Sequence, residues 1–372
     1  MDFDQTNEKT ILLRGKRLQR PVSGTLELLP LCNMACDMCY VHRSLAEVEA
    51  LGGLRPIEDW IRLGKEMANA GVLFLMLTGG EPLLFPNFQE LYLELKQLGM
   101  ILTVNTNGTL INETWADLFG KYKPRRINVT LYGSDNETYE ELCHYPNGFS
   151  RTLYGIQLLR ERGVDVKING SMTRVNRKNM DAIYQIGRNL SVPVHMDTYM
   201  LPGLNERDIP FNQQSRLSPE EAAVADVYAQ RMEKSPELFW KYVETKISQT
   251  EENNIRYPDQ LTCLAGNCSF AINWLGKMRP CVTFDEPAVS VFELGFEEAW
   301  HTVSQKSKEI KLSETCVKCT LRPLCKVCVA SSFLETGNYD GVPEYLCRYA
   351  EEMLRLLKEE MSRNMEAESD AV

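Results

Sequence analysis

Three cysteines near the start of the chain have the type and spacing to act together. They lie in Pro30-Leu31-Cys32-Asn33-Met34-Ala35-Cys36-Asp37-Met38-Cys39-Tyr40, a CxxxCxxC run. Thiolates so spaced can meet at one metal centre if their loop wraps around it. A tetrahedral structural zinc wants a fourth ligand, usually from a second CxxC-type pair. No such pair is nearby, and His42 reads as an ordinary surface histidine. Three thiolates suit a [4Fe–4S] cube that leaves one iron open to an exogenous ligand. The competing structural reading is a zinc knuckle or a set of reduced buried thiols.

Eight further cysteines occupy the last third: Cys263, Cys268, Cys281, Cys316, Cys319, Cys325, Cys328 and Cys347. Cys143 stands alone and brings the total to 12. Eight thiolates are enough for two fully ligated [4Fe–4S] clusters. They are equally enough for two four-thiolate zinc sites, and CxxC pairs by themselves do not choose. The first 20 residues are polar and charged, with no apolar h-region of a secretory signal. No run of about 18 apolar residues could span a membrane. In the reducing cytoplasmic setting this implies, metal or redox chemistry is expected rather than six disulfides.

The chain has 372 residues, 44% of them hydrophobic, enough for one large domain or two ordinary ones. Lys+Arg is 41 against Asp+Glu 51, a net charge of −10. That balance, with no aromatic-plus-basic platform, disfavours a nucleic-acid partner.

The elements that must hold the cysteines alternate in type. Apolar β-type runs at 25–29, 72–77, 101–105, 126–131, 164–169 and 192–199 are separated by helical spacing. The clearest helical patterns are 57–70, carried by Ile57, Trp60, Ile61, Leu63 and Met67, and 88–98, carried by Leu91, Leu93, Leu95 and Leu98. Segments 154–162 and 179–190 read the same way. Six strand–helix units predict an α/β fold with a parallel sheet and helices outside. Its working residues are expected at the strand C-terminal ends. Six units are too few for a closed eight-unit barrel, so an open partial (β/α)6 barrel is expected.

The domain plan is an extension over 1–23, the barrel over 24–200, a helical connector over 201–260, a Cys-rich domain over 261–350, and a helix end with a polar, frayed tail over 351–372. Within the connector, Pro202-Gly203 and Pro210 break the chain. Ser218-Pro219-Glu220-Glu221 reads as a helix start, with Ser218 at the N-cap and Pro at the first helical position. Further helices are expected at 296–304 and 344–361.

CxxxCxxC directly after the first strand of such a barrel resembles the radical S-adenosylmethionine (SAM) superfamily, over residues 24 to about 199. Met38 stands where the family usually has an aromatic, with Tyr40 just after the third cysteine. Leu77-Thr78-Gly79-Gly80-Glu81-Pro82 ends the second strand, where the family carries a Gly-Gly-Glu turn. The resemblance implies that Gly79, Gly80 and Glu81 hold the amino end of the SAM methionine. It makes Tyr40, Asn107, Thr130, Ser171 and Arg174 further SAM-contact candidates, Arg174 for the carboxylate. Where some relatives have an Arg after the fourth strand, this chain reads Leu142-Cys143-His144. Cys143 is expected to be a buried thiol.

The rear cysteines resemble the SPASM extension of radical SAM enzymes, through Cys-x12-Gly-x4-Cys from Cys263 to Cys281 and CxxC-x5-C from Cys316 to Cys325. Two residues, rather than the usual three, separate Cys325 from Cys328. The resemblance implies one auxiliary cluster on Cys263, Cys268, Cys281 and Cys328, and another on Cys316, Cys319, Cys325 and Cys347. With the SAM-binding cluster on Cys32, Cys36 and Cys39, that makes three [4Fe–4S] clusters.

The implied chemistry is reduction of bound SAM to a 5′-deoxyadenosyl radical, which abstracts a substrate hydrogen. The auxiliary clusters then accept the electron left behind, giving a net oxidation. Asp197 and Tyr199, at the end of the sixth strand, are candidates for acid/base or radical-quenching work. The expected substrate is a peptide or protein, cross-linked by thioether or carbon–carbon bonds in a ribosomal precursor. Alternatives are formylglycine formation in sulfatases and small-molecule dehydrogenation. Outside enzymes, a zinc or iron–sulfur scaffold remains. An electron donor such as flavodoxin or ferredoxin is an expected partner. The 23 residues before the barrel are too few for a leader-binding domain, so recognition is expected from the barrel mouth, the 201–260 connector or a separate leader-binding protein.

Overall fold

Alternating side chains decide the sheet. In the computed structural model, which describes residues 3–201, 215–252 and 255–370, the predicted strand segments form β1 (Ser23–Glu27), β2 (Phe74–Thr78), β3 (Ile101–Thr106), β4 (Arg126–Thr130), β5 (Val166–Ser171) and β6 (Val194–Asp197). All six run parallel to their neighbours. Leu75 and Leu77 of β2, Leu102 and Val104 of β3, Ile127 and Val129 of β4, and Val166 and Ile168 of β5 are fully buried. They share one core with Trp60, Leu63, Leu91, Leu95, Phe119 and Leu159 of the outer helices. The intervening residues point the other way and are largely polar. Asn128 Nδ2 donates to Asn105 Oδ1 across this inner face at 2.7 Å. Period-two alternation therefore builds a greasy outer face and a polar interior from the same strands.

The helices form where spacing and caps agree. Helix Ile57–Ala70 buries Trp60, Leu63 and Met67 at i, i+3 and i+7, and Gly71 ends it in the left-handed region at φ +94°. Helix Phe88–Gln97 and helix Met180–Leu190 lie where expected, whereas the 154–162 segment belongs to a longer helix, Gly148–Glu161. Two short helices escaped the periodic reading. Glu113–Lys121 starts on the Asn112 side chain and Asn136–Cys143 on that of Asp135.

Ser218 caps helix Pro219–Glu233 by accepting from the Glu221 N–H, and the Glu221 side chain returns a bond to the Ser218 N–H. A second capped helix, Pro236–Glu251, completes the connector. The breaks read at Pro202-Gly203 and Pro210 lie outside the described residues. Helix Phe296–Glu309 outruns its expected span, and Glu344–Asp370 continues into the stretch read as a frayed tail. The 1–23 extension is not featureless: Phe3–Leu18 is helical, and its Leu12 carbonyl lies 3.5 Å from the Cys268 Sγ. No helix among the described residues is long and apolar enough to cross a membrane.

The Cys-rich region is joined to the barrel sheet. β7 (Ser269–Ile272) pairs parallel with β1, and β8 (Lys277–Arg279) and β9 (Val289–Ser290) follow antiparallel. The nine strands run in the order β6-β5-β4-β3-β2-β1-β7-β8-β9. Strands of two to four residues give no periodic signal, so this continuity was invisible in the sequence.

A buried ion pair locks the join. Arg279 in β8, 2% exposed, donates from Nη2 to Glu27 Oε2 at the end of β1, 0% exposed, at 2.6 Å. Tyr40 donates its hydroxyl to the other Glu27 oxygen at 2.9 Å, and Arg279 Nη1 reaches Asp285 at 2.9 Å. Removing one partner strands the other charge in a dry interior. Arg279→Met should cost about 3–5 kcal/mol in anaerobic denaturant titrations, and adding Glu27→Gln should recover part of that loss. Equal stability of Arg279→Met and the parent would overturn this account of the join.

Candidate functional site

The strand C-terminal ends open onto a cavity of about 350 Å³. Cys32, Cys36 and Cys39 line one side together with Tyr40. Gly79, Gly80, Asn107, Thr130 and Ser171 line the strand ends, and Asp197 and Tyr199 lie on the same wall system at the end of β6. Arg174 is exposed and off the cavity, its backbone N–H bonded to the Ser215 carbonyl at 2.9 Å.

The cysteine loop is held by three neighbours. Gly80 donates its N–H to the Leu29 carbonyl at 2.7 Å, and Glu81 donates to Leu31 at 2.9 Å. The turn needs both glycines: Gly79 has φ +139°, and a Cβ on Gly80 would sit 2.1 Å from the Leu31 oxygen. Just past β3, Asn107 Nδ2 reaches Cys32 Sγ at 3.7 Å and Asn33 Oδ1 at 2.9 Å. From the end of helix Asn136–Cys143, the Cys143 and Leu142 carbonyls accept from the Ala35 and Asp37 N–H groups at 3.1 and 3.0 Å.

Glu81 is placed differently from what the motif suggests. It is fully buried, beneath the cavity rather than on its wall. Its carboxylate accepts from the Thr106 hydroxyl at 2.7 Å, the Asn107 N–H at 2.9 Å and the Leu83 N–H at 3.2 Å. It thus bolts the end of β3 to the glycine turn. Burial raises its pKa to about 7 despite these three donors.

The donor chemistry of the loop fits a cationic metal centre. Burial above all, together with Glu81 and the neighbouring cysteines, pushes the Cys32 thiol up to about 12, even though the Met34 N–H favours its thiolate. The Cys36 thiol is likewise pushed up, by its bond with Cys143 and by burial. Buried thiols of this kind ionise together where positive charge is placed among them, as an iron–sulfur cluster would supply.

The rear cysteines fall into two electrostatic groups. Cys263 interacts with Cys328, Cys268 with Cys263, and Cys281 with both Cys328 and Cys263. Separately, Cys325 interacts with Cys347 and Cys316, and Cys347 with Cys316 and Cys319. Among the described residues no three His, Cys, Asp or Glu side chains close on a single metal ion.

The far wall couples the barrel to these groups. Thr283, two residues after Cys281, and Leu334, in helix Val329–Thr336 that follows Cys328, both line the cavity. Asp197 is accessible from the cavity yet surrounded by protein. Burial raises its pKa, against the pull of the Lys326 ammonium between Cys325 and Cys328. Tyr199 donates to Glu335 at 2.8 Å, and Arg216, 3.4 Å over the Tyr345 ring, bonds the same carboxylate. Sequence reasoning missed Tyr132, Thr106, Thr283 and Leu334 as lining residues. Tyr132 was recoverable, since it shares the inward face with Thr130 two positions earlier.

The architecture is that of a barrel protein that gathers its reactive groups at one mouth. Residues 26–188 match the Radical SAM superfamily. It is 24% identical over 331 residues to an AdoMet-dependent heme synthase of Methanosarcina barkeri, covering 84% of this chain and 92% of that protein. It is 25% identical over 343 residues to the antilisterial bacteriocin subtilosin biosynthesis protein AlbA of Bacillus subtilis, covering 87% and 71%. The fold is shared with native anSMEcpe, solved with bound AdoMet and the Cp18Cys peptide. That match has a TM-score of 0.68 at 17% identity, over 95% of this chain and 100% of that one.

Glu81 gives a test of the turn. Glu81→Ala leaves three donors without their acceptor and should cost about 3 kcal/mol, more than Glu81→Gln, which keeps one oxygen. The folded pKa of about 7 lies above the ordinary 4.5. The stability this carboxyl contributes is therefore complete below pH 4.5 and lost as pH rises through about 7. Denaturant titrations of SAM-free protein across that window should show the decline, and Glu81→Gln should flatten it.

Proposed function

We propose that this chain oxidises a peptide or protein substrate by radical SAM chemistry, most simply by cross-linking a ribosomally made precursor. The carrying observation is the composition of one cavity: Cys32, Cys36 and Cys39 on one side, Thr283 and Leu334 from the rear cysteine region on the other. Cys32, Cys36 and Cys39 would hold the SAM-binding [4Fe–4S] cluster. Cys263, Cys268, Cys281 and Cys328, and Cys316, Cys319, Cys325 and Cys347, would hold two auxiliary clusters of a SPASM-type domain. A reduced [4Fe–4S] cluster with SAM on its open iron supplies a 5′-deoxyadenosyl radical, a strong hydrogen abstractor.

The chain's own residues do the rest. Gly79 and Gly80 present backbone to the SAM methionine, while Asn107, Thr130, Ser171 and Tyr40 shape its site. Asp197 takes the substrate proton, with Tyr199 fixed beside it by Glu335. Arg174, exposed and off the cavity formed by the described residues, stays the candidate for the SAM carboxylate. The domain division at 24–200 and 261–350 stands as part of this proposal, with the β7 pairing as the seam. A cytoplasmic location and a flavodoxin or ferredoxin donor follow from the reaction's need for a strong reductant, and a separate leader-binding protein would supply precursor recognition.

The similarity to AlbA supports a peptide substrate, as does the peptide bound by the fold neighbour anSMEcpe. A second reading, oxidation of a small molecule, is favoured by the similarity to an AdoMet-dependent heme synthase along 92% of its length. Anaerobic incubation with SAM and dithionite, with precursor peptides or tetrapyrroles added in turn, separates the two by which product gains or loses mass.

Anaerobically reconstituted protein should carry about twelve irons and as many sulfides per chain, from three four-iron clusters. Replacing Cys32, Cys36 and Cys39 by Ala should remove about four irons and abolish 5′-deoxyadenosine release. Two zinc atoms with no iron would sink the proposal. Asp197 acts as base only when ionised, and its pKa is raised above that of an ordinary aspartate. Product formation should fall as pH drops through that raised value, by up to tenfold per pH unit. Asp197→Asn should lose product while still releasing 5′-deoxyadenosine. An unchanged ratio of product to 5′-deoxyadenosine would exclude Asp197 from that role.

A further inference from the structure

Cys143 is the one cysteine outside all three groups, and the fold delivers it to Cys36. Cys143 ends helix Asn136–Cys143 and is 0% exposed. The backbone on both sides of Cys36 is clamped to that helix end. The Ala35 N–H donates to the Cys143 carbonyl at 3.1 Å and the Asp37 N–H to the Leu142 carbonyl at 3.0 Å. His144 Nε2 lies 2.7 Å from Asp37 Oδ1 just outside. The clamp sets the Cys143 thiol in hydrogen-bond contact with the Cys36 sulfur, and the Tyr132 hydroxyl bonds the same sulfur from the cavity side.

Tyr132 is equally constrained. Its N–H donates to the Tyr139 hydroxyl at 3.2 Å, its carbonyl accepts from Asn176 Nδ2 at 2.8 Å, and its ring meets Tyr139 edge-on at 5.9 Å. Cys32 has a different environment, with contacts from the Met34 N–H at 3.4 Å and Asn107 Nδ2 at 3.7 Å. A thiol and a hydroxyl thus converge on the Cys36 sulfur, and while Cys36 is protonated its bond with Cys143 favours the Cys36 S–H.

A cysteine bound to iron is a thiolate with no proton to give. In the loaded protein the Cys143 S–H must therefore be the donor and Cys36 the acceptor, as with Tyr132. Hydrogen bonds to cluster sulfurs drain electron density and favour the reduced state, which carries one more negative charge. Resting on the assignment of Cys32, Cys36 and Cys39 to the SAM-binding cluster, we propose that Cys143 and Tyr132 are positioning residues that raise the reduction potential of that cluster through paired hydrogen bonds to Cys36. They ease its one-electron reduction by the external donor, with no proton taken up and no bond made.

The test is an EPR-monitored dithionite titration of fully reconstituted protein, with the front cluster identified as the signal that changes when SAM is added. Cys143→Ala and Tyr132→Phe should each move its midpoint to more negative potential, and the double variant further. Cys143→Ser keeps an O–H donor and should stay near the parent. The auxiliary midpoints should not move in any variant, which separates a local hydrogen bond from general loosening. Deuterium exchange should remove a proton coupling from the front-cluster signal in the parent, and that coupling should be weaker in both single variants. Unmoved front midpoints with intact clusters would overturn the proposal. Absence of any SAM-sensitive signal, in the parent as well, would instead remove the cluster assignment beneath it.

Discussion

The Glu27–Arg279 pair is the constraint on which the two halves of this protein depend. Glu27 ends β1, three residues before the loop that carries the front cysteines begins at Pro30. Arg279 ends β8, two residues before Cys281. Two charges withdrawn from water contribute little net stability when a well-packed apolar alternative exists. What they contribute is register: the guanidinium fits one carboxylate geometry, and Tyr40, directly after Cys39, occupies the remaining Glu27 oxygen. A shift of one residue between β1 and the rear hairpin would leave a buried charge unpaired. The pair thus fixes the cysteine loop of the barrel relative to the first rear cysteine group, across 252 residues of sequence.

Around that anchor, one carboxylate and two glycines complete the mouth of the barrel. Glu81 ties β3 to the turn after β2, and the missing side chains of Gly79 and Gly80 let that turn press against the cysteine loop. The polar interior of the strands is affordable because it faces a cavity rather than a packed core. Asn105, Thr130 and Ser171 remain open to ligand there, while the opposite faces of the same strands bury Val104, Val129 and Ile168. Fold and site are thus two readings of a single alternation.

The sequence carried most of this barrel, and physics explains what it withheld. Six alternating runs reported six strands because each must present one face to helices. Ser218 announced a helix because a capping box is local chemistry. The joining strands β7 to β9 are too short to show a period, and the helix Phe3–Leu18 shows no wide apolar stripe. Nothing local in the sequence marks Glu27 and Arg279, 252 residues apart, as partners. The Glu81 carboxylate, singled out for the SAM amino group, bonds backbone and the Thr106 hydroxyl beneath the cavity, contacts between distant segments that no local pattern announces.

The distribution of charge around β6 bears on the kind of reaction the cavity suits. Lys326 lies between Cys325 and Cys328, which belong to different thiol groups, and it pairs with Asp226 at 2.5 Å while drawing on Asp197. In the proposed reaction, an electron accepted at either rear group would add negative charge on the Lys326 side of Asp197 and make its carboxylate a stronger base. Loss of the substrate's electron and loss of its proton would then favour one another at the same wall, opposite the front cysteines. A redox-neutral rearrangement needs neither exit. With clusters held as proposed, the cavity would have a hydrogen-abstracting side and a facing side able to receive both electron and proton, an arrangement suited to oxidation.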